Sequence, residues 1–360
     1  MLISKCKATG CEDTTQPGSL SPKSSSRLNP RKTVTSIGCL ELNCGKTVMI
    51  EGLPAFKKGI FVLKYNLLVI LGPTASGKTK VGFQVASALN GEIISADSRQ
   101  VYRGMDIGTG KDLQEYGSIP YHLIDIVDPG YEFNLFEFQR RFLEALAAIQ
   151  ARGRLPILVG GTGMYLDAVL RGYRLLEVPE NPGLRKELAA LSLEDLADRL
   201  KGANPMLHNT TDLLDRERLT RAIEIAEFKG VKNPNLPPLP ELKPIVFGIK
   251  LEKGILRQRI TQRLRDRLNH GMIEEVERLH QDGVPFETLE FYGLEYRFVA
   301  QYLKGELNKN DMFQKLNSAI HQFAKRQETW FRRMERQGVA IHWVHGNADP
   351  AAVILQKLRS

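Results

Sequence analysis

The pattern of hydrophobic and polar positions alternates between strands and helices from residue 65 to residue 173. Leu67–Leu71 and Leu155–Val159 are almost continuously apolar, which is typical of parallel strands that are covered on both faces. Asn134 is a good helix N-cap, and Gly153 is a good terminator. The pattern also predicts the helices Lys78–Leu89 and Leu135–Arg152, the short strand Glu92–Ser95 and a third strand, Tyr121–Val127.

The second half of the chain is mostly helical in pattern. Residues 180–230 predict helices, one starting at Ser192 and one at Arg216–Lys229. The proline-rich stretch Lys232–Pro244 predicts a linker. Pro244–Leu251 resembles a strand that returns to the sheet, and long helices are predicted near Ile255–Gln281, Leu294–Gly305 and Asn310–Glu335, with a last strand at Ala340–Val344.

These elements predict an α/β fold with a doubly wound parallel sheet, whose ligands bind at the carboxyl ends of the strands. We assign residues 61–178 and 240–345 to the α/β core with added helices, and residues 179–239 to a helical insertion. Residues 1–60 are rich in Ser, Thr, Pro, Lys and Arg, and we expect a disordered or nonessential extension. An organelle-targeting peptide is the alternative, but Glu12, Asp13 and Glu41 argue against it.

The segment after the first strand carries the most informative motif. Its pattern G-x-x-x-x-G-K-T, between a strand and a helix, predicts a P-loop whose backbone N–H groups bind phosphate oxygens. The expected fold is therefore P-loop NTPase-like. Lys78 supplies a cation, and Thr79 supplies a hydroxyl for Mg²⁺. The loop consists of Gly72, Pro73, Thr74, Ala75, Ser76, Gly77, Lys78 and Thr79.

Composition narrows the class of protein without naming an activity. With 42% hydrophobic and 25% charged residues, the 360-residue chain resembles soluble globular proteins. No apolar run reaches the ~18 residues of a membrane span, and the net charge of +9 is compatible with a nucleic-acid partner without requiring one. The cysteines all precede the P-loop, which favours a cytoplasmic protein and incidental thiols over a zinc site. They are Cys6, Cys11, Cys39 and Cys44.

Two polar residues follow predicted strands at the same rim as the P-loop. Asp97 comes just after the second strand, where a carboxylate could act as a general base, hold Mg²⁺, or only cap a turn. Thr162 lies in the glycine turn after the fourth strand, where simple turn chemistry is the alternative. Asp125 and Asp128 end a strand as a Walker-B acid would, but His122 breaks the apolar run before them.

Basic residues cluster on two predicted helices. The first cluster, mostly at i, i+4 spacing, could gather a pyrophosphate or an RNA backbone, or form a solvated helix face. The second cluster mixes with aromatic residues, which suits single-stranded nucleic acid, although Trp330 fits a core position equally well. The clusters are Arg257, Arg259, Arg263 and Arg267, and Lys325, Arg326, Arg332 and Arg333 around Trp330 and Phe331.

Six ordered motifs are distributed over some three-quarters of the chain. They are GPTASGKT at Gly72–Thr79, SADSRQVYRGMDIGTGK at Ser95–Lys111, HLIDIVDP at His122–Pro129, PILVGGTGMYLDAVLRG at Pro156–Gly172, RLTRAIEI at Arg218–Ile225 and AKRQETWFRR at Ala324–Arg333. In this order the motifs resemble those of the tRNA dimethylallyltransferases, also called tRNA isopentenyltransferases. The second motif is far more specific than the P-loop.

The resemblance implies transfer of a dimethylallyl group from dimethylallyl diphosphate to N6 of the adenine next to the anticodon (position 37) of tRNA, with release of diphosphate. It implies that Asp97 is the base that deprotonates N6 and that Thr162 assists it. The P-loop, Arg259 and Mg²⁺ on Thr79 would hold the diphosphate, the insertion would bind tRNA, and a monomer is expected. The residues implied in tRNA binding are Asp97, Ser98, Arg99, Gln100, Thr162, Arg185, Arg218, Leu219, Thr220, Arg221, Tyr296 and Arg297.

Two stretches depart from the family's pattern. Glu295 stands where a glycine commonly precedes the equivalent of Tyr296, and Leu207–Asp212 differs from the usual His-Pro-Asn-Asp. Both regions are expected to face tRNA. The alternative activities are prenylation of free AMP, ADP or ATP to make a cytokinin, and a P-loop kinase or ATPase, which would need a clearer Walker-B acid than Asp125 or Asp128.

Overall fold

A parallel sheet of six strands forms the centre of the part of the chain that the structure describes. The computed structural model describes residues 64–203, 215–231 and 238–359. The strands run in the order β3–β2–β4–β1–β5–β6, and every neighbouring pair is parallel. They are β1 (Leu67–Leu71), β2 (Gly91–Ala96), β3 (Tyr121–His122), β4 (Leu155–Gly160), β5 (Pro244–Lys250) and β6 (Ile341–His345).

The strand order brings together three loops that are distant in sequence. β1 lies between β4 and β5, and β4 lies between β1 and β2. The loops that follow β1, β2 and β4 therefore emerge side by side at the carboxyl edge of the sheet. They carry the P-loop, Asp97 and Thr162, respectively. This arrangement, with helices on both faces, confirms the predicted α/β fold.

The α-helices of the described ranges account for most of the remaining chain. None of them is both long enough and apolar enough to span a bilayer. They are α1 (Lys78–Leu89), α2 (Leu135–Ala151), α3 (Gly163–Leu170), α4 (Pro182–Ala189), α5 (Leu193–Ala203), α6 (Arg216–Val231), α7 (Lys253–Asn269), α8 (Met272–Gln281), α9 (Phe286–Phe291), α10 (Leu294–Leu303), α11 (Lys309–Arg336) and α12 (Pro350–Arg359).

Three buried clusters hold the sheet and the later helices together. On one face of the sheet, α2, α3 and the end of α11 pack against alternate strand residues, whereas α1 and α12 cover the other face. The third cluster joins α7–α11 and includes the buried tyrosines Tyr102, Tyr292 and Tyr296. Because α11 contributes to two clusters, its position is coupled to both the sheet and the C-terminal helices.

Helices α4–α6 have a small hydrophobic cluster of their own. It is formed by Leu188, Leu196, Leu200, Leu219 and Ile223, each at most 1% exposed. The predicted boundaries of the insertion are not tested by this observation and stay a prediction. The departure at Leu207–Asp212, the predicted linker up to residue 237 and the N-terminal extension lie outside the described residues.

The third predicted strand is much shorter than expected. Tyr121–Val127 was predicted to be one strand, but pairing with β2 ends at His122. The backbone turns there, because Leu123 and Asp125 adopt positive φ angles of 62° and 55°. Val127 instead bridges to Tyr102 outside the named strands. The apolar residues of this segment are buried although the segment forms a turn. Its apolar pattern therefore did not distinguish a buried strand from a buried turn.

The predicted helix Ile255–Gln281 is two helices. It breaks after α7 at Gly271, which has a φ of 97° and begins α8. Glycine is the residue that adopts this left-handed conformation without strain. Helix α2 begins as predicted, because the Asn134 side chain accepts a hydrogen bond from the Glu137 N–H at 3.0 Å. Helices α9 and α12 were not predicted.

Candidate active site

A cavity of about 300 Å³ opens at the carboxyl edge of β1, β2 and β4. The P-loop and the turn before α3 line it from the sheet, and α7, α10 and α11 line it from the C-terminal helices. The loop between α9 and α10 also contributes to its wall. Ten of the predicted site residues line this cavity: Thr74, Lys78, Thr79, Asp97, Ser98, Arg99, Gln100, Thr162, Tyr296 and Arg297.

The P-loop joins β1 directly to the N-terminus of α1. Gly77 is the N-cap residue of α1 and has a φ of 86°, which is a conformation that favours glycine. Of the eight loop residues, Gly72, Pro73, Ala75, Ser76 and Gly77 do not line the cavity. The Thr74 N–H donates to the Gln327 side chain at 2.8 Å. The Thr74 N–H is therefore bound within the protein, and phosphate binding by the loop stays a prediction.

Lys78 is the cation at the centre of the cavity. The pKa of its ammonium is lowered from 10.5 to about 8, mainly by burial; Asp97 opposes this shift, and the positive charges of Arg263 and Arg267 contribute to it. Its Nζ lies 3.5 Å from the carbonyl oxygen of Pro73. A buried ammonium among other cations is an environment that an anionic ligand would stabilise.

Asp97 and Thr162 are joined through the backbone between them. The Thr162 N–H donates to the Ala96 carbonyl at 3.1 Å, and its hydroxyl accepts from the Ser98 N–H at 3.1 Å. One oxygen of Asp97 accepts from the Arg99 N–H at 2.9 Å. Thr162 thus holds both ends of the turn that carries Asp97. The second Asp97 oxygen is the one available to a ligand in the cavity.

Gln100 fixes the rest of this turn. Its side-chain oxygen accepts from the Ser95 hydroxyl at 2.9 Å, and its amide donates to the Gly110 carbonyl at 3.1 Å. Gln100 is 7% exposed, so these bonds are protected from water. The two hydrogen bonds of its side chain therefore connect the end of β2 to residue 110, although Gln100 also borders the cavity.

Arg263 and Arg267 of α7 line the cavity. The arginine that the resemblance assigns to diphosphate binding is a different one, Arg259. Arg263 pairs with Asp112 at 2.7 Å, and Arg267 donates to the Gly108 carbonyl at 3.3 Å. A Cβ atom at Gly110 would displace both guanidinium groups, and the φ of 61° at this residue is a conformation that favours glycine. Arg259 is exposed and does not line the cavity, but its NH1 lies 3.8 Å from the position of a Cβ on Gly77.

Glu295, the departure from the family's pattern, also lines the cavity. Its carboxylate pairs with Arg267 at 3.3 Å, and both side chains are mostly buried. Burial raises the pKa of Glu295, whereas Arg267 opposes that change. Burial likewise lowers the pKa of Arg267 to about 10. Glu295 therefore places a second carboxyl group in the cavity that Asp97 also lines.

The predicted RNA-binding residues of the insertion do not line the cavity. Arg185 and Arg221 bind the buried carboxylate of Glu224 at 2.8 and 3.0 Å. Burial opposes ionisation of Glu224, but hydrogen bonds from Arg185, the Asn181 N–H and Arg221 outweigh it and lower its pKa to about 2. Arg185 therefore joins α4 to α6, whereas Arg221 pairs with Glu224 within α6 and donates to the Val178 carbonyl at 2.6 Å.

The neighbouring positions on α6 differ in how accessible they are. The side chain of Leu219 is 0% exposed and therefore belongs to the core of these helices, whereas tRNA binding at this position stays a prediction. Leu219 packs with Leu188, Leu196 and Ile223 in the hydrophobic cluster of α4–α6. Thr220 is half-buried, and Arg218 is exposed within 3.7 Å of Asp215.

Tyr296 borders the cavity but is almost fully buried. It is 1% exposed, and its hydroxyl donates to Glu275 at 2.6 Å. That hydroxyl is therefore bound within the protein, and the contact of Tyr296 with tRNA stays a prediction. Arg297 is exposed, and its Nε donates to the Glu290 carbonyl at 3.2 Å.

The weak Walker-B candidates serve structural ion pairs. Asp125 pairs with the buried Lys111, which also binds Asp106 at 2.6 Å. Asp128 pairs with Arg103 at 2.8 Å on the surface. Neither aspartate lines the cavity. The lysine needs its partners, because an ammonium that is buried without a counter-charge is strongly destabilising.

Four functional candidates in the cavity were missed or not selected from the sequence. Gln327 lies within the late motif, and Phe291 and Phe323 occupy positions that the sequence pattern does not mark. Arg326 was noted only as part of a basic cluster. The selected Trp330 is partly buried, and its indole packs against Gly163, as a core residue would. Helical spacing alone did not show that Phe323 lines the cavity whereas Trp330 packs as a core residue.

The lining of the cavity offers side-chain oxygen atoms to a metal ion. The Thr79 hydroxyl and the Asp97 carboxylate both line it, and hydroxyl and carboxylate oxygens are ligands that Mg²⁺ accepts. This donor set fits a Mg²⁺ ion that takes its other ligands from water and substrate phosphates, as is common for that ion.

The class that this fold and cavity define is that of P-loop α/β proteins. Comparison with known proteins agrees. Residues 100–334 match the family described as IPP transferase, and residues 65–116 match the family described as Isopentenyl transferase. The chain is 70% identical to tRNA dimethylallyltransferase 1 of Geotalea uraniireducens over 294 residues, covering 82% of this chain and 97% of the relative.

Other relatives and solved structures agree with this assignment. The chain is 69% identical to tRNA dimethylallyltransferase 1 of Geotalea daltonii, covering 81% of this chain and 94% of the relative. The crystal structure of the tRNA isopentenylpyrophosphate transferase from Bacillus halodurans is similar, with a TM-score of 0.60, 33% identity and coverage of 82% and 95% of the two chains. A eukaryotic dimethylallyltransferase acting on tRNA shares the fold at a TM-score of 0.65 and 24% identity, with coverage of 78% and 73%. The chain therefore belongs to the tRNA dimethylallyltransferase family and is a prenyltransferase.

Proposed function

We propose that this chain transfers the dimethylallyl group of dimethylallyl diphosphate to N6 of the adenine next to the anticodon of tRNA. The observation that carries the proposal is that Lys78 and Asp97 face one cavity and act on each other electrostatically. A cation for the leaving diphosphate and a base for the attacking amine are thereby available within one small space.

The reaction needs one bond to form and one to break. The adenine N6 attacks the allylic carbon, the C–O bond to the diphosphate breaks with its electron pair, and the N6 proton passes to the free oxygen of Asp97. The amine is a poor nucleophile because its lone pair is delocalised into the ring, so alignment and proton removal both lower the barrier. Lys78, Arg263 and Arg267 would offset the negative charge that grows on the diphosphate.

Mg²⁺ is part of this proposal. Thr79 would hold the ion together with diphosphate oxygens, and the ion would supply further positive charge to the leaving group. Thr162 and Arg99 would keep the Asp97 carboxylate in place through the backbone contacts described above. All these residues belong to one chain, so a monomer is the expected state, which sedimentation would test.

The test uses purified protein, dimethylallyl diphosphate, Mg²⁺ and either unmodified tRNA or free AMP and ADP. Mass spectrometry of nucleosides should find prenylated adenosine in tRNA. Transfer to the free nucleotides but not to tRNA would contradict the proposal in favour of the cytokinin-forming activity. ATP turnover without prenyl transfer would contradict both.

Asp97→Asn tests the base with a near-isosteric change. We expect it to lower kcat by about 100-fold or more, because the amide cannot accept the proton, with tRNA binding almost unchanged. Asp128→Asn is the matched control, since it removes an exposed carboxylate outside the cavity. Near-normal turnover of Asp97→Asn would exclude Asp97 as the base.

A further inference from the structure

The rim of the cavity carries two exposed phenylalanine rings. Phe291 is 66% exposed and Phe323 is 38% exposed, although both line the cavity that contains Asp97. The other large hydrophobic side chains that are exposed in the described ranges, such as Tyr131 and Trp343, do not line it. Two exposed aromatic rings at the entrance of a charged cavity indicate a binding surface.

Each of these rings lies against an arginine. The Arg99 guanidinium is 5.5 Å from the centre of the Phe291 ring, and that of Arg326 is 5.9 Å from the centre of the Phe323 ring. Aromatic rings accept unstacked nucleobases on their faces, and neighbouring arginines bind phosphate or stack as well. The combination fits a single-stranded nucleic acid better than a protein or a lipid partner.

Both rings are attached to firmly held backbone. Phe291 ends α9 and is followed by the buried Tyr292, whose ring centre lies 4.4 Å from that of Tyr102. Phe323 lies one turn before Gln327, whose side chain binds two loops of the cavity. The rings therefore stay at the rim without a ligand, so stacking on them needs little reorganisation of the protein.

We propose that Phe291 and Phe323 are stacking faces for the nucleobases that flank the acceptor adenine. The inference rests on the proposed function. Moving an adenine out of a stacked loop into the cavity leaves its neighbours without a stacking partner. Aromatic faces at the entrance would replace the lost contacts. A free nucleotide has no such neighbours, so these faces would favour a polynucleotide acceptor over AMP or ADP.

The test compares an anticodon stem-loop RNA with the same RNA made abasic on either side of the acceptor adenine. Phe291→Ala and Phe323→Ala should each weaken binding of the intact RNA by about 5- to 100-fold. The same variants should change binding of the abasic RNA much less, because the base that stacks is missing. Phe291→Tyr and Phe323→Tyr should bind the intact RNA nearly as the wild type does.

Two controls separate stacking from a general defect. Tyr131→Ala removes an exposed ring outside the cavity and should leave RNA binding unchanged. Phe291→Leu keeps an apolar side chain of similar size and should still weaken binding. For all variants, the KM for dimethylallyl diphosphate should stay at the wild-type value.

The outcomes distinguish this inference from the proposed function. Equal losses with intact and abasic RNA, or no loss with either, would overturn the stacking faces while leaving the prenyl transfer to tRNA in place. If the wild type prenylated no tRNA or stem-loop at all, the proposed function would fail, and the stacking faces would fail with it.

Discussion

The side-chain oxygen of Gln327 accepts a hydrogen bond from the backbone N–H of Thr74 at 2.8 Å. The amide nitrogen of the same residue donates to the Gly161 carbonyl at 2.9 Å. One buried side chain on α11 therefore joins the P-loop to the turn that presents Thr162. Since Lys78 belongs to the first loop and Thr162 holds the Asp97 turn, Gln327 couples the two halves of the cavity.

Gln327→Glu should lower kcat/KM for dimethylallyl diphosphate by about 100-fold, the loss expected when reacting groups move by about 1 Å. The carboxylate can still accept from Thr74 but faces the Gly161 carbonyl without a proton to donate. Gln322→Glu, an exposed position on the same helix, is the control. Steady-state kinetics and thermal unfolding check the prediction, and a variant that unfolds at the wild-type temperature with unchanged kinetics would contradict it.

The pKa of Lys78 predicts how the reaction depends on pH. Because the free enzyme has this pKa near 8, the ammonium loses its charge as the pH rises through that value. We expect kcat/KM for dimethylallyl diphosphate, which reports on the free enzyme, to fall above about pH 8. Lys78→Arg should move this fall to higher pH, because a guanidinium stays charged. An unchanged profile in that variant would assign the fall to another group.

Glu295→Gln should tighten the binding of inorganic pyrophosphate by about 3- to 10-fold, because it removes a negative charge beside Arg267. Glu290→Gln removes a carboxylate that pairs with Lys304 outside the cavity and should have no such effect. Inhibition by pyrophosphate measures the change. Since the pKa of Glu295 is raised, the wild type should approach the variant as the pH falls and the carboxyl is protonated. Weaker pyrophosphate binding by the variant would show that the pair mainly orients Arg267.

Glu92 is expected to stabilise the fold in a way that depends on pH. The hydrogen bond from Arg152 is the largest cause of its low pKa of about 2, and His122 also contributes, against the effect of burial. Because this pKa lies below the unfolded value near 4.5, the stabilisation is complete above pH 4.5 and is lost as the pH falls toward 2.

Glu92→Gln should therefore reduce the free energy of unfolding by on the order of 2 kcal/mol at pH 7. The difference from the wild type should shrink below pH 4.5. Denaturant unfolding at several pH values measures it, with Glu144→Gln, an exposed helix-surface carboxylate, as the control. A difference that persists unchanged at pH 3 would contradict the ionic explanation.

Regular features of the fold were predictable because local sequence determines them. Continuous apolar runs predicted β1, β4 and β5, and the Asn134 cap predicted the start of α2, since each depends on neighbouring residues only. The segment after His122 was not predictable, because its apolar residues are buried by contacts with Tyr102 and other distant residues. The break at Gly271 was also not predictable, because the residues on both sides of it have helical patterns.

The sequence by itself determined the family, most of the strands and helices along the chain, and the presence of Lys78, Thr79, Asp97 and Thr162 in or directly after loops that follow strands. Motifs and periodicity are local properties of the sequence, so they can be recognised without a structure. Only the tertiary structure decided that Arg263 and Arg267 rather than Arg259 line the cavity, that Leu219 is buried, and that Gln327 joins two loops. Those facts depend on which helix faces meet, and that is set by packing between residues that are not neighbours in sequence.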